Sequence, residues 1–552
     1  MALSLTVTTG RSVVLTRNGM VCSASPLAGA AGLRVLQEGG NAIDAAIATA
    51  AAEGVTLPPM CGLGGEVFAL VYWAREGKVY GVTGSGKAPL KATREFFIAQ
   101  GCRVMPQDGP LAVAIPGEVD AYDTLLQRFG SGRFTLARLL EPAIALAEGG
   151  FPLPQRIARY LVLFAPQLGR HPSTARTFLK EGRPYQPGDI LRQPQLARSL
   201  QAIASQGPRE FYEGGLARRL VEGLQAEGGL YTLQEWAAHR TILYDDPIAT
   251  TYRGFTIYET HLPSQGILVL QMLNLLEGFD LKGLGHTSAD YIHLLTEAKK
   301  LAYADRLAYL GDPEFTPSPW RSLISKPYAE ERRKAIDMGR ASASVPPGVL
   351  AAAADDGATS YFCVIDREGN AVSFIHSLSN AFGACRVVGD TGILLNNRVG
   401  RGFSLVEGHP NVIAPGKRTM HTLNAYMAFR DGHLWIVGGT PGGDNQPQWN
   451  VQVLTRLIDF GLNPQEAAEA PRFTHFPGTD PIAVDNSPEL RLEEPFMQDG
   501  ALVAELRRRG HAVGPYPASA FLGGVQVIML EHATGVRMGG SDPRCDGGAY
   551  AH

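Results

Sequence analysis

A threonine at the head of an alternating apolar run, directly after a stretch of small residues, is the strongest chemical feature of this 552-residue chain. The run is Thr359-Ser360-Tyr361-Phe362-Cys363-Val364-Ile365-Asp366; the stretch before it, Ala351 to Ala358, is rich in Ala, Asp and Gly and reads as weakly structured. Scission of the Ala358–Thr359 bond would leave Thr359 with a free α-amine beside its own hydroxyl, so that one residue supplies nucleophile and base for attack on an amide. Threonines also begin strands for purely structural reasons, so the reading depends on the surroundings. Ser377, a hydroxyl eighteen residues on, is the first neighbour of interest. Gly442-Gly443 is the second, because adjacent glycines let backbone N–H groups approach a ligand closely.

The elements that must position these residues are partly legible. Tyr361 to Ile365 and Ala371 to Ser377 read as strands, and Asp366 to Asn370 between them as a Gly-containing turn, which together make a hairpin. Pairing Asp366 with Asn370 sets Thr359 opposite Ser377, and directly opposed strand residues have Cβ atoms ~5 Å apart. Their hydroxyls are then within hydrogen-bonding reach, although a plain polar pair on a wet sheet face fits the spacing equally well. Leu27 to Glu38 and Ala42 to Glu53 read as helices broken at Gly39-Gly40, the second capped by Asn41. Asp44 and Glu53 inside that Ala-rich run argue against a membrane span. Ala69 to Trp73, Lys78 to Val82, Leu434 to Val437 and Val525 to Leu530 read as strands. The middle of the chain, Thr135 to Leu310, reads as mostly helical. Asn463-Pro464-Gln465-Glu466 is a helix start with cap, first-turn proline and acidic third residue. Strands flanked by helices fit either a doubly wound sheet or a four-layer αββα sandwich. Gly81-Val82-Thr83-Gly84-Ser85-Gly86-Lys87 imitates a phosphate-binding loop, but Ala88 stands where that motif needs a magnesium-binding hydroxyl.

Bulk properties narrow the field. Length alone would suggest three or four domains, yet no linker, charge block or repeat divides the chain. Apolar residues make up 45% and charged residues 19%, ordinary for a protein with a large core. A formal net charge of −3, with basic residues scattered, gives no basis for a nucleic-acid partner. Met1 to Val14 lacks the pattern of a signal peptide, which sets the cytoplasm as the expected compartment, with no membrane partner. Six cysteines far apart form neither a disulfide framework nor a zinc motif and read as buried, reduced thiols. The thirteen histidines show no ligand spacing, so no metal and no cofactor are expected.

Further along lie Gly392-Ile393-Leu394-Leu395-Asn396-Asn397, Ala414-Pro415-Gly416-Lys417-Arg418, Pro441-Gly442-Gly443, Glu469-Ala470-Pro471-Arg472-Phe473 and Ser541-Asp542-Pro543-Arg544. In this order they resemble the γ-glutamyltransferase family of N-terminal nucleophile hydrolases. The likeness extends to the first half through Asn41-Ala42-Ile43-Asp44-Ala45-Ala46, Gly62-Leu63-Gly64-Gly65, Lys87-Ala88-Pro89, Ala114-Ile115-Pro116-Gly117, Glu141-Pro142-Ala143 and Tyr303-Ala304-Asp305-Arg306, and so covers nearly the whole chain. The resemblance implies an α/β (α+β) four-layer αββα sandwich and one interwoven globule. It implies a precursor cut between Ala358 and Thr359 into a large part, 1–358, and a small part, 359–552, which stay associated, with a dimer of such pairs as a further possibility. It also implies Thr359 as catalytic nucleophile, Ser377 as its orienting hydroxyl, and Gly442 and Gly443 as the oxyanion hole.

The expected substrate pocket departs from the family. An arginine that holds a substrate α-carboxylate is replaced by Ser85, and a pocket asparagine by Ser379. After Asn396-Asn397 the family's Gln and Asp, which hold the α-ammonium, give way to Arg398 and Arg401. His421-Thr422 stand for a pair of serines. A glutamyl ammonium would be repelled by two guanidiniums, whereas an acyl group ending in a carboxylate would be attracted; alternatively both arginines face solvent or pair with acids. The sequence thus points to a self-processing amidohydrolase or acyltransferase acting on a small-molecule amide through an acyl-threonine. Its acyl group would bear a carboxylate held by Arg398, Arg401, Ser379, Asn397, His421, Thr422 and Ser85, as in oxamate-type amidases and cephalosporin-acylase-like enzymes. The alternatives are a true γ-glutamyltransferase or glutathione hydrolase, and an uncleaved binding paralogue.

Overall fold

Along the strand that begins at Ala358, Tyr361, Cys363 and Ile365 join one buried cluster while Phe362 and Val364 join another. Side chains of a strand alternate between faces, so this strand separates two cores. A computed structural model describes residues 10–346, 358–476, 489–516 and 523–552; the small-residue stretch from Ala351 to Gly357 and the first nine residues lie outside them.

Fourteen strands build the centre. They are β1 Val14–Thr16, β2 Met20–Ser23, β3 Glu66–Trp73, β4 Lys78–Gly84, β5 Ile242–Tyr244, β6 Ile248–Tyr252 and β7 Phe255–Glu259, then β8 Ala358–Ile365, β9 Ala371–Ser379, β10 Tyr426–Arg430, β11 His433–Gly439, β12 Gln526–Glu531, β13 Val536–Ser541 and β14 Gly548–Ala551. One seven-stranded sheet runs β14-β2-β8-β9-β3-β4-β5 and the other β1-β13-β12-β11-β10-β7-β6. All neighbours in both are antiparallel, which removes the doubly wound alternative.

The principal flanking helices are α1 Pro26–Gln37, α2 Ala42–Thr56, α3 Glu118–Phe129, α4 Gln155–Leu168, α5 Ile267–Leu276, α6 Ala289–Tyr309, α7 Gln446–Ile458 and α8 Pro464–Glu469. Residues of α1 to α4 share a core with the outward residues of β2, β3, β4, β8 and β9. Residues of α5 to α8 share another with β6, β7 and β10 to β13. Between the sheets lies a third core, including Met20, Phe68, Leu70, Tyr361, Ile375, Met427, Val437 and Ile528. Helices, sheet, sheet, helices: the four-layer sandwich follows from these three cores.

Local signals worked where one short-range interaction decides. Asn41 and Asn463 each close a capping box, with Asp44 and Glu466 respectively. The Gly81–Lys87 imitation of a phosphate loop is largely strand: β4 runs through Gly84. Thr135 to Leu310 is mostly helical, as read, but β5, β6 and β7 lie inside it and the last two complete the edge of the second sheet. Among the cysteines, Cys22, Cys61, Cys363 and Cys385 are buried as expected, whereas Cys102 and Cys545 are only half-buried; all six are free thiols. Among the described residues no helix is long and apolar enough to cross a membrane.

Candidate active site

Strand parity delivers three polar side chains to one end of the inter-sheet layer. Thr359 has the parity of Tyr361 and Ile365, Ser377 that of Ile375, and Glu66 that of Phe68 and Leu70, all members of that layer. The β8–β9 register is regular from Ile365↔Ala371 to Ser360↔His376, then shifts by one so that Ala358 pairs with Ser379. Thr359 therefore sits at a β-bulge, a device that re-aims a side chain. Its Oγ1 lies 3.1 Å from Ser377 Oγ, and Thr359 is 1% exposed. Ser377 Oγ also accepts the Ser379 N–H at 2.8 Å. That contact needs Ser379 at φ 84, a left-handed conformation uncommon outside glycine.

From the opposite sheet, β11 ends at Gly439 and leads into Pro441, Gly442 and Gly443. Gly442 has φ 139 and Gly443 φ 53; a Cβ on Gly442 would also lie 2.2 Å from the Trp449 ring, so only glycine fits. The carbonyls here are occupied. Pro441 O accepts from Thr440 Oγ1 at 3.0 Å, Gly442 O from the Asn445 N–H at 2.9 Å and Gly443 O from Gln265 Nε2 at 2.8 Å. In a trans peptide the N–H points opposite to the carbonyl, so pinning these carbonyls aims the N–H groups of Gly442, Gly443 and Asp444 the other way.

The pocket residues named from the sequence converge on a residue that the sequence reading missed. Glu66, fully buried, accepts from Ser85 Oγ at 3.0 Å and the Gly86 N–H at 3.1 Å through Oε1. Through Oε2 it accepts from Arg398 Nε at 3.0 Å and pairs with His421 Nε2 at 2.8 Å. Arg398 Nη1 reaches Thr422 Oγ1 at 3.4 Å, and Arg401 Nη1 the Ser379 carbonyl at 3.3 Å. The two arginines lie three apart on the short helix Arg398–Gly402, hence on one side of it. Asn397 plays a bracing part, accepting the Asn380 N–H and donating to Gln107 O. Ser85, Ser379, Asn397, Arg398, Arg401, His421 and Thr422 are each at most 4% exposed, so neither arginine faces solvent and Arg398 is paired with an acid. The available signal was an acid opening the otherwise apolar strand Glu66-Val67-Phe68-Ala69-Leu70, at an inward position.

Burial alone would push the Glu66 carboxyl up, but His421, Arg398 and the Gly86 N–H outweigh it and hold it at about 2. Burial, then the Arg398 charge, lowers His421 to about 4 against the pull of Glu66. The consistent state is a permanent Arg398 cation on a Glu66 carboxylate, with a neutral imidazole donating through Nε2.

Ser360 has the opposite parity and points to the helix side, where its Oγ donates to Glu53 Oε2 at 2.6 Å. Buried His376 bridges Glu53 at 2.9 Å and Glu118 at 2.7 Å. Burial opposes its protonation, yet Cys61 and Glu118 raise it well above its ordinary value. Glu53, Cys61 and His376 gather ligand atoms within 4.8 Å, as do His293, Glu297 and His511. Both nitrogens of His376 and of His293 are already in hydrogen bonds, which a cation would have to displace.

Thr359 and Ser360 also line a cavity of about 310 Å³ with Leu57, Met60, Tyr160 and Arg159. None of the Glu66-linked side chains lines it, so Thr359 stands between a sealed polar pocket and an open, largely apolar one.

Comparison with known proteins bears on the family and the fold. A profile of the gamma-glutamyltranspeptidase family matches residues 28–552. The glutathione hydrolase-like YwrD proenzyme of Bacillus subtilis (strain 168) is 38% identical over 543 residues, 98% of this chain and 99% of that protein. The glutathione hydrolase proenzyme of Escherichia coli (strain K12) is 37% identical over 553 residues, covering 96% of this chain and 91% of its own. The crystal structure of cephalosporin acylase from Bacillus halodurans superposes with a TM-score of 0.90 at 34% identity, over 100% of this chain and 99% of that one.

Proposed function

Since the chain belongs to the gamma-glutamyltranspeptidase family and is thus an N-terminal nucleophile amidohydrolase or acyltransferase, we propose that Thr359 is its nucleophile and that its preferred acyl group carries a carboxylate but no α-amine. The observation that carries the first half is the Thr359–Ser377 hydroxyl pair at 3.1 Å. In the precursor the Thr359 hydroxyl attacks the Ala358 carbonyl, the acyl group shifts from N to O, and water releases the new N-terminus. The freed α-amine, with an ordinary pKa of ~7.7–8, takes the hydroxyl proton near neutral pH. Attack on a substrate amide then gives an acyl-Thr359, its oxyanion facing the N–H groups of Gly442 and Gly443. Ser377 orients the nucleophile through the bond it keeps while accepting from Ser379. Water completes hydrolysis; an amine acceptor completes transfer.

The acyl preference rests on Glu66. A carboxylate offers about four acceptor positions, and four donors already occupy this one. It has no capacity left for a substrate ammonium. Arg401, on the same side of the short helix as Arg398, is the cation that would meet a monoanionic acyl group. The cavity on the other side of Thr359 suits the amine, which must depart before water enters. A true γ-glutamyl hydrolase is the second reading, favoured by the likeness to glutathione hydrolases. The two parts, 1–358 and 359–552, stay paired, and a dimer of pairs is the assembly to look for. The cytoplasm is the proposed compartment, in keeping with six free thiols.

Intact mass with N-terminal sequencing tests the nucleophile: a smaller fragment beginning Thr359-Ser360-Tyr361 is expected, and Thr359→Ala should stay full-length and inactive. Glutaryl 4-nitroanilide and γ-glutamyl 4-nitroanilide differ only in the α-amine. The glutaryl compound should have the higher kcat/KM by at least about tenfold, the cost of leaving one charged group unmatched. The reverse order would favour the second reading.

A further inference from the structure

The two loops that flank Thr359 from the second sheet, His421-Thr422 and Gly442-Gly443, are joined by one amide. Gln265 lies in the turn that leads into α5 and is fully buried. Its backbone N–H donates to His421 O at 2.8 Å. Its side-chain Nε2 donates to Thr422 O at 2.6 Å and to Gly443 O at 2.8 Å, using both hydrogens. Its Oε1 accepts from Arg306 Nη1, which fixes which way the amide faces. Arg306 itself reaches the Asp444 carboxylate at 2.7 Å, and the Tyr303 hydroxyl donates to Asp444 O. Ser264 and Gln446 hold the neighbouring Leu423 and Asn424, but Gln265 is the side chain that reaches one carbonyl of each loop.

We propose that Gln265 is a positioning residue that sets the acyl-recognition loop and the oxyanion loop at a fixed separation. Without its Nε2 the Gly443 carbonyl would keep only the Gln446 N–H, so the Gly443–Asp444 peptide would be held from one side alone. Glycine's conformational freedom lets that peptide shift once the second donor is gone. The neighbouring N–H groups would swing off the place where oxyanion charge develops. Thr422 O would be left with the longer Asn424 Nδ2 bond at 3.1 Å, loosening the loop that carries the Thr422 contact to Arg398. The catalytic part of this inference rests on the function proposed above; the structural coupling does not.

Two variants test it. Gln265→Met keeps the volume and removes all three side-chain bonds; Gln265→Glu keeps the Arg306 contact but puts a carboxylate against two carbonyls. In mature protein each should lower kcat on the cleaved anilide by about 30- to 100-fold, the scale of a 1 Å misplacement, with KM within about threefold. Amide hydrogen exchange, followed by mass spectrometry, should accelerate together in the segments containing Thr422 and Gly443. A kcat within twofold of the parent, or a rise in KM alone, would overturn the positioning role. Exchange that changes in one segment only, or in neither, would overturn the coupling. If Gln265→Met does not fold, Gln265→Glu carries both readouts. A parent that cleaves neither anilide would count against the proposed function, and hydrogen exchange would still decide whether Gln265 couples the loops.

Discussion

Glu66 shows how a single buried group can redirect a specificity argument. Departures from the family pattern at Ser85, Arg398 and Arg401 made the two arginines an anion site, with pairing to unnamed acids as the alternative. The balancing acid comes from β3, more than three hundred residues earlier, and no local pattern links the two. Thr359 and Ser377 were legible because a hairpin connects them through a short turn. His421 offers a test at this scale. Its folded-state pKa of about 4 lies below the ordinary 6.5 because burial and Arg398 disfavour the charged ring. The unfolded chain takes up a proton below pH 6.5 that the folded one refuses down to about 4, so this group lowers stability as pH falls through that window. The loss should reach about 3 kcal/mol by pH 4. His239, His293, His475 and His511 act in the same direction and His376 in the opposite one, so the comparison must be with His421→Gln, which keeps a donor for Glu66. Denaturant midpoints at pH 7 and pH 4.5 should fall less in the variant; parallel falls would show that His421 carries no such charge penalty. Ser377→Ala belongs to the same scale: it should slow appearance of the small fragment by about tenfold or more, read by mass over time.

Elements were readable where a cap or a turn decides them and misread where tertiary pairing does. The Asn41 and Asn463 caps act within one helical turn. β6 and β7 sit in a mostly helical region and exist because β10 offers β7 an open edge, Phe255↔Arg430 to Glu259↔Tyr426, a fact no window of sequence contains. The blocks that carried the family resemblance also prove to be pairing partners: Arg472 bonds Asp542, and Arg544 bonds both Asp542 and Glu493. The turn after β11 makes a sharp prediction. Gly442→Ala must adopt φ 139 and displace Trp449, so it should cost about 1–3 kcal/mol in a denaturant titration and abolish anilide cleavage. Gly77→Ala, also at positive φ but with open space around it, should lose stability while keeping activity.

At the scale of the molecule, the proposed cut separates β1–β7 from β8–β14, yet both sheets draw on both groups. In the first sheet β14, β8 and β9 alternate with strands of the large part at three ladders; in the second, β1 and β7 flank the small part at two. Breaking all five exposes paired backbone and three shared cores, so the fragments should elute as one species in gel filtration and part only in denaturant. Separation by dilution would contradict the interleaved topology. The sealing of Thr359 within this assembly has a kinetic meaning as well. A hydroxyl that is 1% exposed cannot be presented to the backbone of a second folded copy, and the bond it would break is its own. Maturation should therefore be a first-order clock started by folding, with a half-time indifferent to dilution and to added copies of an inactive variant.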